Sequence, residues 1–231
     1  MNRGKSCFHL ALVKKGLNEN MYLLVRRLLE FYMKRKFKFH FHNKEKIPPG
    51  KISKKGGFIV ACNHQYYWDP PIVASFITGK FSFMAKAELF DKKKPFFTWL
   101  IKRCGAFPVT RGADSEKAIH EALLTLKKGR IFVIFPEGTR SKDGIIGRGK
   151  SGVAMIAAMA NAPILPVCLM YRLDGNRKRV DYAVCDMIPA EEVSIAGGDR
   201  RELKRVSERV MNSIKELQQQ IMDSVQTAVD N

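Results

Sequence analysis

Acidic residues are scarce in this 231-residue chain, with 22 Asp+Glu against 41 Lys+Arg and a formal charge of +19. That deficit points to an anionic partner: nucleic acid, a phospholipid surface or a phosphorylated substrate. Cysteine is sparse too. Cys7, Cys62, Cys104, Cys168 and Cys185 make an odd count with no C-x-x-C pair, which argues against a disulfide framework and a zinc ribbon and fits a reducing cytosol. The apolar stretch Phe8–Val13 is too short for a signal peptide, and no A-x-A site follows it. Only Ser151–Tyr171 is uncharged over a membrane-spanning length, and Asn161, Pro163 and Pro166 interrupt it. It reads as a buried helix to about Ala160, a turn, and a buried strand near Ile164–Met170. No Ser or Cys stands in a nucleophile motif. Apolar residues, in contrast, are plentiful at 45%, with 10% aromatic, so the chain is not a disordered basic tail. Its length suits one α/β domain whose core needs neither disulfides nor a structural metal.

The charge is uneven. Residues 1–56 carry +12 of the +19, and within them MYLLVRRLLEFYMKRKFKFHFH interleaves bases with Leu, Phe, Tyr and Met. Leu24, Leu28 and Phe31 fall on a different part of a helical wheel from Arg27, Lys34 and Lys38. Rings and bases side by side suit a lipid headgroup interface. The same pattern suits a helix that covers the domain with a solvated basic face. Residues 1–50 are therefore taken as a basic amphipathic arm that contacts a membrane, and residues 51–231 as the main domain, entered through the Gly50–Gly57 loop.

Strands are predicted at Phe58–Cys62, Phe81–Met84, Phe107–Val109, Ile131–Phe135, near Ile164–Met170, and at Arg179–Cys185. Helices are predicted from Asp69 to about Thr78, from Asp114/Ser115 to Gly129, up to Ala160, and from about Asp199. In the last, Leu203, Val206, Val210, Ile214, Leu217 and Ile221 form one stripe. The alternation predicts an α/β fold, a mixed sheet flanked by helices.

Two strands end in polar loops, NHQYYWDP at Asn63–Pro70 and FPEGTRS at Phe135–Ser141. Loops after strand carboxyl ends line the ligand crevice of such sheets. His64 and Asp69 straddle a strand-to-helix turn. If the loop folds back, the carboxylate holds one imidazole nitrogen and leaves the other to take a proton from an alcohol or water. The plainer alternative is that Asp69 caps its helix and His64 is a polar loop residue.

Taken together, NHQYYWDP, KAELF at Lys86–Phe90, GAFPVTRG at Gly105–Gly112, FPEGTRS and ILPV at Ile164–Val167 appear in that order. Over roughly Phe58–Val167 the chain resembles the glycerophospholipid acyltransferase family, particularly bacterial 1-acylglycerol-3-phosphate acyltransferases. The resemblance implies transfer of a fatty acyl group from acyl-CoA or acyl-carrier protein to the free hydroxyl of lysophosphatidic acid, giving phosphatidic acid. His64 would be the general base and Asp69 its support, with no acyl-enzyme and no metal or cofactor. Acceptor binding would fall to Arg111, Glu137, Gly138, Thr139 and Arg140. Arg111 and Arg140 suit a phosphate monoester by charge and forked geometry, although a surface salt bridge is the commoner fate of an arginine. Glu137 would hydrogen-bond the glycerol or hold Arg140. Lys86 and Lys150 are further phosphate contacts, and Pro166 would shape a pocket wall. Two positions depart from the family pattern. Tyr66 stands where a small hydroxyl residue is common, and Gly149 replaces an aromatic. An amphiphilic acceptor also implies peripheral or monotopic attachment to the cytoplasmic face of the cell membrane, with an anionic lipid surface as partner. Other lysolipids or glycerol 3-phosphate are alternative acceptors.

Two readings of other classes compete. Gly144–Ser151 satisfies G-x-x-x-x-G-K-[ST], the phosphate loop of nucleotide hydrolases. That loop needs a strand ending at its first glycine, and PEGTRSKD before Gly144 is polar. A basic nucleic-acid module would explain the charge but not a His–Asp loop beside PEGTR, so no nucleic acid is expected as partner.

Overall fold

The computed structural model describes residues 19–48, 57–91, 93–110, 115–195 and 199–230. Its elements are α1 (Glu19–Lys36), β1 (Lys38–His42), β2 (Ile59–Cys62), α2 (Asp69–Phe76), β3 (Phe81–Lys86), α3 (Pro95–Arg103), β4 (Ala106–Val109), α4 (Ser115–Lys127), β5 (Ile131–Ile134), α5 (Gly152–Ala160), β6 (Ile164–Asp174), β7 (Arg177–Val184), α6 (Ala190–Val193) and α7 (Arg200–Asp230).

The strands form one seven-stranded sheet in the order β1-β7-β6-β2-β5-β3-β4. Every neighbouring pair is parallel except β6 and β7, which form an antiparallel hairpin. The sheet is therefore mixed, as the alternation of elements predicts. Its central strands are apolar on both faces because both are covered: β2 and β5 are buried at every residue. Ile59 and Ala61 join Phe132, Val153, Ile156 and the stripe of α7 on one side. Val60 and Cys62 join Ile72, Val73, Met33 and Phe37 on the other. All six stripe residues of α7 are buried.

Two features depart from the expected layout. The uncharged run Ser151–Tyr171 divides into α5 and β6 as predicted, with Asn161 in the left-handed conformation between them. The strand, however, continues to Asp174. Lys38–His42, read as part of the arm, forms the edge strand β1 in register with β7. Helix α1 ends at Lys36, where Arg177 donates to the carbonyls of Lys34 and Arg35. The chain then turns into the sheet. Phe39 and Phe41 pack against Phe76. On the opposite face of the strand, His40 and His42 approach the fully buried carboxylate of Asp181, which also receives Arg172 and Arg179.

Candidate active site

Two loops meet beyond the carboxyl ends of the adjacent parallel strands β2 and β5. In the first, Nδ1 of His64 lies 2.7 Å from Oδ2 of Asp69. Asp69 is the first residue of α2 and is fully buried, yet its side chain does not cap its own helix. It turns back across the loop, and Oδ2 also accepts the N–H groups of Gln65 at 2.7 Å and Tyr66 at 2.8 Å. A carboxylate kept from water is tolerable only with such donors. The other oxygen, Oδ1, accepts the Tyr171 hydroxyl at 2.5 Å. Because an acceptor faces Nδ1, that nitrogen carries the proton of the neutral ring and Nε2 presents its lone pair. Among the described residues no hydrogen bond is formed at Nε2. The His64 side chain is 20% exposed, and its ring stacks on Phe135 with centroids 4.2 Å apart.

The main chain of His64 is held as firmly as its ring. Just before it, the Asn63 side chain donates to the Leu169 carbonyl at 2.9 Å and accepts the Leu169 N–H at 2.8 Å. An amide side chain thus continues the ladder where β2 stops. Glu137 of the second loop accepts the His64 N–H at 2.9 Å through Oε1, and the His64 carbonyl accepts the Ser141 N–H at 2.8 Å. The second Glu137 oxygen accepts the Gly147 N–H at 3.1 Å. Both oxygens of Glu137 are therefore committed to main-chain groups, not to Arg140.

Gly138 has φ of 71°, a conformation glycine adopts without cost. A Cβ there would stand 2.9 Å from Nζ of Lys150, so the lysine lies over the turn. The Lys150 N–H donates to the Pro136 carbonyl at 2.9 Å, tying the two segments together. At Gly149 a Cβ would fall 2.5 Å from Cγ of Met211. A side chain at this position would collide with α7. Thr139 and Arg140 are exposed beside the turn, and Lys86 is exposed at the carboxyl end of β3. Arg111 lies outside the described residues.

The structure thus gathers His64, Asp69, Glu137, Gly138 and Lys150 into one linked assembly. Lys86, Thr139 and Arg140 sit at the same end of the sheet without a hydrogen bond to the His64–Asp69 pair among the described residues. Asn63 and Tyr171 were not anticipated. Asn63 had a signal, a buried-strand terminus directly before His64. Tyr171 had none, being 102 residues from its partner. Burial pushes the thiols of Cys62 and Cys168 up, which suits inert packing and not thiolate nucleophiles. The Gly144–Ser151 segment lacks the strand a phosphate loop requires, since β5 ends at Ile134. The Gly144 carbonyl instead accepts Gln65 and Gln218.

The Acyltransferase family model matches residues 38–170. A 1-acyl-sn-glycerol-3-phosphate acyltransferase of Streptococcus pneumoniae is 33% identical over 187 residues, which cover 78% of this chain and 66% of that protein. The chain therefore spans about two thirds of the pneumococcal protein. One from Bacillus subtilis is 29% identical over 187 residues, 78% of this chain and 88% of the relative. Among solved structures, the 1-acyl-sn-glycerophosphate (LPA) acyltransferase PlsC from Thermotoga maritima is similar with a TM-score of 0.65 and 26% identity. That match covers 91% of this chain and 87% of the other.

Proposed function

The chain belongs to the Acyltransferase family, and from that premise we propose that it acylates the free hydroxyl of 1-acylglycerol 3-phosphate, forming phosphatidic acid. The relatives from Streptococcus and Bacillus carry that acceptor in their names. The acyl donor is a thioester, acyl-CoA or acyl-carrier protein. Nε2 of His64 takes the proton of the acceptor hydroxyl as the oxygen attacks the thioester carbonyl. Asp69 holds the Nδ1 proton and stabilises the imidazolium. The tetrahedral adduct collapses, the C–S bond breaks, and the imidazolium returns its proton to the departing thiolate. No residue is acylated, and the thioester supplies the activation.

The observation that carries this reading is the 2.7 Å contact between Nδ1 of His64 and a fully buried carboxylate, with the ring partly open on its other side. Lys86, Arg140 and Lys150 supply the positive charge, and Thr139 a hydroxyl, that an acceptor phosphate needs. Peripheral attachment to the cytoplasmic leaflet is part of the proposal. Leu24, Leu28, Phe31 and Tyr32 are exposed along α1, beside Arg27 and Arg35, and such a surface suits anionic lipid. Among the described residues, no helix is long and apolar enough to cross a membrane.

The test is thiol release from a long-chain acyl-CoA or acyl-carrier protein, with and without lysophosphatidic acid, followed by mass spectrometry of the product. Release requires the acceptor, and His64→Ala loses roughly 10²–10⁴ in rate. Full turnover by that variant would remove the base.

A further inference from the structure

The proposed mechanism uses one oxygen of Asp69. The other accepts one hydrogen bond, from Tyr171. We propose that Tyr171, by donating its hydroxyl to Oδ1 of Asp69, is a positioning residue that limits how strongly the carboxylate holds a proton on His64. The proposal rests on the reading of His64 as the base.

Three observations carry it. First, the contact is short and the carboxylate fully buried, so the Tyr171 bond is not diluted by solvent. With three donors on Oδ2 and one on Oδ1, the negative charge is shared among four hydrogen bonds. A carboxylate so shared stabilises an imidazolium less than one lacking a donor. Second, the aim of Tyr171 is built in. The Asn63 side chain pairs with Leu169 on both sides, which pins β6 beside His64. Tyr171 follows two residues later and projects from the same face of the strand. Its ring rests against Phe37 at 6.2 Å and Tyr66 at 5.6 Å. Third, the hydroxyl is a constant donor. Burial, and then the Asp69 charge, push it well above the usual phenol range, so it keeps its proton wherever the enzyme works.

Without that donor, Asp69 holds the Nδ1 proton and the imidazolium more tightly. The imidazolium then persists to higher pH and the free base is lost sooner on acidification. Tyr171 would thus extend the working range downward in pH.

The experiment follows the His64 ring by NMR titration of the free enzyme, and the pH profile of kcat/KM, in wild type and Tyr171→Phe. The ring titration and the acidic limb should both move up by about half a unit to one unit. Below the limb, that is a rate roughly three- to tenfold lower, with a smaller loss on the plateau. An equal loss at every pH with an unmoved ring titration would reduce Tyr171 to packing and overturn the proposal. If Tyr171→Phe does not fold, 3-fluorotyrosine placed at position 171 serves instead. As a stronger donor of nearly the same shape, it should move the limb and the titration down, and no shift would overturn the proposal. In an Asp69→Asn background, changes at 171 should leave the His64 titration where it is, and a persisting shift would sink the route through Asp69. Full turnover by His64→Ala would instead overturn the base, while the NMR titration would still decide the role of Tyr171.

Discussion

At the scale of single residues, Glu137 shows how a side chain in a motif can be spoken for before substrate arrives. Its two oxygens hold the N–H groups of His64 and Gly147, so it fixes the main chain from which the imidazole projects. Glu137→Ala should lower kcat by roughly tenfold or more, the worth of a charged hydrogen bond, and leave the acceptor KM nearly unchanged. A rise in KM alone would return Glu137 to the acceptor. Arg140 is exposed and has no such duty, so Arg140→Ala should raise the acceptor KM by a comparable factor, measured by varying lysophosphatidic acid at saturating donor. Five residues of spacing across a strand-to-helix turn left the His64–Asp69 contact open against a plain helix cap, and it was the ordered series of motifs that favoured it. Asn63 was marked only by its place at a strand terminus, and the partners of Asn63 and Glu137 were not readable, because they are main-chain groups that carry no sequence signal. Tyr171 reaches Asp69 only through the pairing of β6 with β2.

At the scale of elements, strands β2 and β5 were visible as short apolar runs, and α7 as a 3.6-residue stripe. β1 was hidden. Its bases and rings continue the composition of α1, so the change from a helical to an alternating period at Phe39 and Phe41 passed as more of the same helix. What holds that edge is Asp181, which joins β1 through His40 and His42, β6 through Arg172 and its own strand through Arg179. Burial alone would raise its carboxyl. The hydrogen bonds from Arg172, His42 and Arg179 outweigh burial and hold it below the ordinary value. A depressed folded value means the stabilisation is fully present above about pH 4, the unfolded carboxyl range, and is lost as pH falls further. Asp181→Asn should cost about 2 kcal/mol near neutrality, less than a fully buried pair because both arginines are partly exposed. Thermal melts of wild type and variant should converge below about pH 4, and a constant gap would contradict the ionic account.

At the scale of the whole molecule, the concentration of charge in the first 56 residues was plain from the sequence, but which residues of that segment pack on the core was not. Met33 of α1 and Phe37 just beyond its end are buried against α2 and the sheet, while Leu24, Leu28, Phe31 and Tyr32 of the helix stay exposed. One side of the helix is therefore part of the core, and removing it would uncover α2 and the sheet as well as the proposed lipid-facing side. Surface substitutions avoid that damage. Leu28→Ser with Phe31→Ser should weaken sedimentation with anionic liposomes by roughly tenfold or more, while thermal stability stays within about 1 kcal/mol of wild type. Unchanged sedimentation would remove α1 from the membrane contact.

The reversal of direction between β6 and β7 gives the molecule two unlike poles. At one, β2 and β5 end in the loops that carry His64 and Glu137, the β6–β7 hairpin turns at Gly175, and α1 hands over to β1. At the other lie the turns that feed the parallel strands, such as the exposed Lys128–Arg130 turn before β5. A bulky cargo would therefore not be equivalent at the two ends. A fluorescent protein or a solid support grafted at Lys128 should ride on the working enzyme as a passenger, whereas the same graft at Gly175 should obstruct the proposed site.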